Sequence, residues 1–123
     1  MPQGRILIVE DNIDNLELVR FLLEKAGYRI YAAFNGLQGL DMAREVHPDL
    51  ILLDLTLPGI DGWHVAKTLK ADPATETIIV VALTAHALPG DRRKAIGSGC
   101  DGYLSKQLDI ANFISDIEQY FPA

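Results

Sequence analysis

The sequence has few of the features that mark secreted, membrane or nucleic-acid-binding proteins. Its single cysteine, Cys100, excludes an internal disulfide, so a reducing cytosol is the expected location. No apolar run is long enough for a signal peptide or a membrane-spanning helix. Basic residues are scarce: 11 Lys and Arg stand against 17 Asp and Glu, for a net charge of −6. An acidic surface repels phosphate backbones, which argues against binding to nucleic acid or to an anionic membrane.

Linkers, low-complexity tracts and internal repeats are also missing, so nothing divides the 123 residues. This length is typical of one domain, and hydrophobic residues make up 49% of it, enough for a sizeable core. We therefore expect a single domain over residues 1–123, with no effector domain.

Short apolar runs alternate with longer amphipathic stretches along the chain. The runs predict five strands, at residues 6–9, 29–34, 50–54, 78–83 and 102–105. Three runs are continuously apolar, as in strands buried on both faces. Apolar residues at helical spacing predict five helices. The first has its apolar face over residues 16–26, with Asp11 or Asn12 as its cap, and the others lie at 36–46, 61–70, 91–96 and 109–120.

This strict alternation of strand and helix determines the fold class. It predicts an α/β domain with a doubly wound parallel sheet of five strands and helices on both faces. In such sheets ligands bind beyond the carboxyl ends of the strands. The residues that follow the strands are therefore the first candidates for a functional site.

Acidic residues stand at two of these strand ends. The first strand is followed by Glu10 and Asp11, and the third ends in Asp54 after four apolar residues. An aspartate at a strand end can also be a helix cap or a turn former, and Asp11 alone could be only that. Asp54 is harder to explain as a helix cap, because a long turn follows it and no helix begins there. Taken together, the three favour a functional site.

Three carboxylates in one crevice repel each other, and a cation would relieve this repulsion. An all-oxygen site with open positions suits Mg²⁺, which keeps water ligands and accepts phosphate oxygens. The other strand ends offer the hydroxyl of Thr84 and the ammonium group of Lys106. Both could be ordinary strand and surface residues, but with a carboxylate and a metal they form a set sufficient for phosphoryl transfer.

The sequence resembles the receiver domain of two-component response regulators over essentially its whole length. The matching stretches are ILIVEDN (6–12), LILLDLTLPGIDG (50–62), VALTA (81–85) and GYLSK (102–106). The resemblance implies a flavodoxin-like sheet with strand order 2-1-3-4-5. It also implies a signalling module rather than an enzyme in the usual sense, one that promotes its own phosphorylation and dephosphorylation.

The family's site residues have counterparts here. By resemblance, Asp54 accepts a phosphoryl group from the phosphohistidine of a sensor kinase or a histidine phosphotransfer protein. The Mg²⁺ ligands would be Glu10, Asp11, Asp54 and the backbone carbonyl of Thr56. Lys106 would pair with the phosphoryl oxygens.

The resemblance also implies a switch. Thr84 would hydrogen-bond the phosphoryl group and move towards it, and Tyr103 would turn inward as Thr84 moves. A downstream protein would then bind the face made by residues 91–96, 102–105 and 109–120. The phosphodonor would approach the rim near Asn12, Ile13, Asn15 and Pro58.

One position departs from the family pattern. The lysine of the fifth strand is usually followed by a cis proline, but Gln107 follows Lys106 here. A non-proline cis bond costs about 3 kcal/mol, so we expect a trans peptide after Lys106. The Lys106 side chain would then point in a different direction from the lysine of other family members. This departure leaves open a receiver-like module that binds partners without phosphorylation.

Two further classes share the predicted fold. A flavodoxin-like cofactor binder would need Gly, Ser and Thr after the first strand, where this chain has EDNID. An aspartate-based phosphatase would need a second acid two residues after the nucleophile, where this chain has Thr56. The sequence therefore favours the receiver over both.

Overall fold

The computed structural model describes residues 4–54, 62–84, 100–105 and 110–120. Within these ranges the elements follow the order β1 (Arg5–Val9), α1 (Ile13–Lys25), β2 (Arg29–Ala33), α2 (Gly36–Val46), β3 (Leu50–Asp54), α3 (Gly62–Ala71), β4 (Ile79–Thr84), β5 (Gly102–Ser105) and α4 (Ile110–Glu118). The predicted helix at 91–96 lies outside them. The other predicted elements are confirmed, with small shifts at their ends.

The five strands form one parallel sheet in the order β2-β1-β3-β4-β5. This confirms the doubly wound topology and the order that the resemblance implied. The central strands β1, β3 and β4 are buried on both faces, which explains why their sequences are continuous apolar runs.

Alternate residues of each central strand pack on opposite faces of the sheet. One face contacts α1 and α4: Ile8, Leu52 and Val81 form a cluster there with Leu23 and Phe113. The other face contacts α2 and α3. Its cluster includes the strand residues Leu7, Leu53 and Ala82 and the helix residues Leu40, Ala43, Val65 and Leu69.

Side-chain caps determine where two helices begin. The side chain of Asn12 accepts a hydrogen bond from the backbone N–H of Asn15 at 3.0 Å, so Asn12 rather than Asp11 caps α1. Asn35 caps α2 in the same way through the N–H of Gln38 at 2.8 Å. Each cap satisfies a backbone donor that the first helical turn would leave unpaired.

Four strand ends differ from the prediction by one residue: β1 begins at Arg5 and β4 ends at Thr84, while two predicted residues lie outside the strands. Phe34 is not part of β2, because its N–H donates to the Gln38 side chain at 2.8 Å and so belongs to the start of α2. Ile78 is not part of β4, because its N–H closes a turn onto the carbonyl of Thr75 at 3.0 Å. Apolar character alone does not reveal these local hydrogen bonds.

None of the helices in the ranges described above has the length and apolar character needed to cross a membrane.

Candidate metal centre at the carboxyl edge of the sheet

Strands β1 and β3 are neighbours and end at the same edge of the sheet. Val9 pairs with Leu53 in their parallel register, so the next residues, Glu10 and Asp54, leave the two strands side by side. Asp11 follows Glu10 directly. The topology thus brings together the three acidic residues that the sequence singled out.

The carboxylates of Glu10, Asp11 and Asp54 form a compact cluster. Each contributes an oxygen atom, and these atoms lie within 4.8 Å of one another. Asp54 is 0% exposed and Glu10 is 2% exposed, whereas Asp11 is exposed at the rim. The cluster is therefore a pocket that reaches solvent on the side of Asp11. Charges of one sign at this separation destabilise each other unless a cation or proton joins them.

The backbone around Glu10 holds its side chain in place. The carboxylate of Glu10 accepts the N–H of Asn12 at 3.3 Å, and the N–H of Glu10 donates to the carbonyl of Ala33 on β2 at 3.0 Å. Because Asn12 caps α1, the positive end of the α1 dipole lies beside the acidic cluster. The backbone thus places partial positive charge beside the acidic cluster.

The chemistry of this cluster fits Mg²⁺. All its donors are oxygen atoms, which hard cations prefer. Two oxygens bound to one Mg²⁺ lie about 3–4 Å apart, so atoms within 4.8 Å need only small side-chain movements to become ligands. Asp11 is exposed, so water or phosphate oxygens could complete the coordination of such an ion.

The other predicted site residues are described only in part. The backbone of Thr84 ends β4, where it pairs with Ser105, and the preceding Leu83 pairs with Asp54. Thr84 thus leaves the sheet at the edge that carries the cluster. Thr56 and Lys106 lie outside the described residues, as does Gln107.

Tyr103 lies in β5 opposite Ala82. Its ring is partly buried and packs against the core cluster beneath α2 and α3.

A second set of polar contacts, at the amino edge of the sheet, was not anticipated from the sequence. Lys70 forms an ion pair with Asp101 at 2.7 Å, and Asp101 accepts the N–H of Val80 at 2.8 Å. Lys70 belongs to α3 and Val80 to β4, and Asp101 directly precedes β5. The only hint in the sequence is an aspartate directly before an apolar strand, a pattern that also occurs at Asp49.

Cys100 lies next to this ion pair and is buried. Burial, reinforced by the carboxylate of Asp101, raises the pKa of its thiol to about 11. The thiol is therefore protonated near neutral pH and is a poor nucleophile. Cys100 is part of the core cluster beneath α2 and α3, where it is a packed side chain.

Comparison with known proteins shows to which family the chain belongs. A sequence profile of the response regulator receiver domain matches residues 6–118. The chain belongs to this family. The polar-differentiation response regulator DivK of Brucella anthropi is 44% identical over 120 residues, which cover 98% of this chain and 97% of the relative.

Solved receiver domains share the fold over nearly the whole chain. A response regulator from Chloroflexus aurantiacus superposes with a TM-score of 0.92 at 28% identity, covering 98% of both chains. The receiver domain of a sensor histidine kinase from Pseudomonas aeruginosa superposes with a TM-score of 0.85 at 34% identity, covering 94% of both. That structure has a magnesium ion coordinated in its active-site cleft.

Family membership settles the broad function. The chain is a receiver domain of a response regulator, and its acidic pocket is formed by Glu10, Asp11 and Asp54. Receiver domains typically bind Mg²⁺ at such a pocket. They interact with histidine kinases or phosphotransfer proteins and with downstream effectors, and they are signalling proteins rather than enzymes in the usual sense.

Proposed function

We propose that this receiver takes a phosphoryl group onto Asp54 from a phosphohistidine donor and signals by changing a protein-binding surface. The observation that carries the proposal is the acidic cluster, in which a fully buried carboxylate lies beside two others at the ends of adjacent strands. Burying a carboxylate is costly, and the cost is most easily explained where that group reacts or binds a cation.

The transfer is a displacement at phosphorus. A carboxylate oxygen of Asp54 attacks the phosphorus atom, and the bond from phosphorus to the donor's imidazole nitrogen breaks. The bonding electrons remain on that nitrogen, and Asp54 carries a mixed anhydride. Attack by water on the same phosphorus later regenerates the carboxylate and releases inorganic phosphate. Both steps depend mainly on positioning and on neutralising charge.

Several residues of the chain would neutralise that charge. Glu10, Asp11, Asp54 and the backbone carbonyl of Thr56 would hold Mg²⁺, and Lys106 would pair with the phosphoryl oxygens. When bound, Mg²⁺ offsets the negative charge of the carboxylates and of the incoming phosphoryl group. Thr84 would donate its hydroxyl to the phosphoryl group. Support comes from the β3–β4 and β4–β5 registers, which bring the backbone of Thr84 to the same edge as Asp54.

We further propose that Thr84 and Tyr103 form the switch. Movement of Thr84 towards the phosphoryl group would open space into which the Tyr103 ring turns, and the partner surface at 91–96, 102–105 and 109–120 would change with it. Backbone amide shifts with and without beryllofluoride, a phosphoryl mimic, test this step. Shifts should extend to residues 86–106, and shifts confined to the rim of the pocket would contradict the switch.

Uptake of phosphate from a small donor tests the central proposal. The chain is incubated with acetyl phosphate and Mg²⁺, and its mass is measured intact. We expect the gain of one phosphoryl group, stable in acid and lost in base, and no gain in EDTA. A chain that gains no phosphoryl group but still binds a receiver's partners would instead be a module that works without phosphorylation.

A further inference from the structure

Strand β5 is a short edge strand, so few backbone hydrogen bonds hold its register. It has four residues, Gly102–Ser105, and within the described part of the chain it pairs with β4 alone. A slip of one residue would move it about 3.3 Å along β4 and turn every side chain to the opposite face. Ser105 ends β5 and directly precedes Lys106 in the sequence, so the register of β5 also determines where the chain leaves the sheet before Lys106.

The amino end of β5 is held in register by Asp101. The N–H of Asp101 donates to the carbonyl of Val80 at 2.7 Å, and its carboxylate accepts the N–H of Val80 at 2.8 Å. These two bonds close a ring immediately before the first strand pair, Val81 with Gly102. A carboxylate can close this ring in one register only, because Asp101 must lie opposite Val80.

Lys70 on α3 holds that carboxylate in turn. Its ammonium group lies 2.7 Å from the carboxylate oxygen of Asp101 that accepts the Val80 N–H. The ammonium also donates to the carbonyls of Ile78 at 2.8 Å and Glu76 at 3.3 Å, so its three donors all have acceptors. The Lys70 side chain is only 22% exposed, which limits its exchange with water. One lysine thus connects α3, the segment before β4, and β5.

We propose that the Lys70–Asp101 ion pair is a positioning element for phosphoryl transfer, because it fixes β5 so that Lys106 at the other end of the strand reaches the phosphoryl group. The inference rests on the proposed function. It assigns a role in the reaction to two residues at the opposite edge of the sheet from the acidic cluster. The departure at Gln107 makes such support more important, since Lys106 lacks the proline that usually follows it.

A purely structural role for the ion pair predicts something different. It would lower the stability of the fold without a specific effect on the step that needs Lys106. The positioning role predicts that Mg²⁺ affinity is unchanged, because β1 and β3 carry the acidic cluster, while the rate of phosphoryl uptake falls. It also predicts that the loss disappears once Lys106 has been removed.

The test is a double-mutant cycle between Lys70→Met and Lys106→Ala. The rate constant of uptake from acetyl phosphate is measured at saturating Mg²⁺, at a temperature where every variant is folded. We expect Lys70→Met to lower this rate constant about tenfold in the wild-type background and to have no further effect in the Lys106→Ala background. Lys67→Met, an exposed lysine on the same helix, is the matched control and should leave the rate unchanged.

Asp101→Asn provides a second variant in case Lys70→Met does not fold. Asparagine can still accept the Val80 N–H but lacks the charge that holds Lys70, so we expect a loss of about threefold. A Lys70→Met rate within about twofold of wild type, or an equal loss in both backgrounds, would overturn the positioning role and leave the proposed function intact. A wild-type chain that takes up no phosphoryl group would overturn the proposed function itself.

Discussion

Strand β3 is flanked by two aspartates, Asp49 before its first residue and Asp54 as its last. Asp49 is exposed and bonds to the neighbouring strand: its carboxylate accepts the N–H of Arg5 at 2.9 Å, and its own N–H donates to the carbonyl of Arg5 at 2.9 Å. Asp54 is fully buried among other carboxylates. One strand therefore carries the same residue type in two opposite environments.

The same contrast extends across the whole sheet. At the amino edge, Asp101 repeats the contacts of Asp49 with Val80 in place of Arg5, and each aspartate thus extends a ladder between two strands. At the carboxyl edge, Glu10, Asp11 and Asp54 converge on one another. We therefore expect the acids at the amino edge to stabilise the fold and the acids at the carboxyl edge to cost stability.

The largest effect on stability should come from the amino edge. Asp101→Ala removes the acceptor of the Val80 N–H and one partner of Lys70, so we expect a loss of about 2–3 kcal/mol in the free energy of unfolding. Asp49→Ala removes only the acceptor of an N–H at an exposed position and should cost about 1 kcal/mol. Urea unfolding followed by circular dichroism measures both. An Asp101→Ala variant no less stable than Asp49→Ala would contradict the extra role of Lys70.

Substitution by alanine at the carboxyl edge should raise the stability of the metal-free protein rather than lower it. In EDTA, Asp11→Ala and Asp54→Ala relieve repulsion, and each should raise the melting temperature by about 4 °C for every kcal/mol gained. Added Mg²⁺ should stabilise the wild type more than either variant, because each variant lacks a ligand. Thermal melts of the three proteins check this, with Asp49→Ala as the control that loses stability. If both cluster variants melt clearly below wild type in EDTA, the carboxylates do not repel one another as described.

The acidic cluster could be predicted because it depends on topology alone, and the family resemblance implied the strand order that makes β1 and β3 neighbours. Parallel strands end at the same edge, so residues that directly follow two adjacent strands must meet, as Glu10 and Asp54 do. The Lys70–Asp101 pair could not be predicted in this way. It joins residues 31 positions apart and requires the placement of α3 relative to the start of β5. The choice of Asn12 over Asp11 as the cap of α1 likewise depends on which side chain reaches the N–H of Asn15.

A smaller effect on stability is expected from a substitution at the residue that ends α2. His47 ends this helix with a φ of 53°, in the left-handed region that favours glycine. We expect His47→Gly to raise the free energy of unfolding by about 0.5 kcal/mol, because glycine adopts this conformation without steric cost. His64→Gly, within α3, is the matched control and should lower stability by about 1 kcal/mol. Urea unfolding shows whether each variant gains or loses stability. A His47→Gly variant less stable than wild type would contradict this prediction, because the histidine side chain would then stabilise the fold by more than its left-handed backbone conformation costs.

The comparison of Asp49 with Asp54, at the two ends of β3, also tests the central claim most directly. Asp54→Asn and Asp49→Asn are each incubated with acetyl phosphate and Mg²⁺, and the phosphoryl group is quantified by intact mass. Asparagine keeps the shape of either side chain but removes the nucleophilic carboxylate. We expect Asp49→Asn to take up one phosphoryl group to the wild-type extent and Asp54→Asn to take up none. Wild-type uptake by Asp54→Asn would contradict the assignment of Asp54 as the phosphoacceptor.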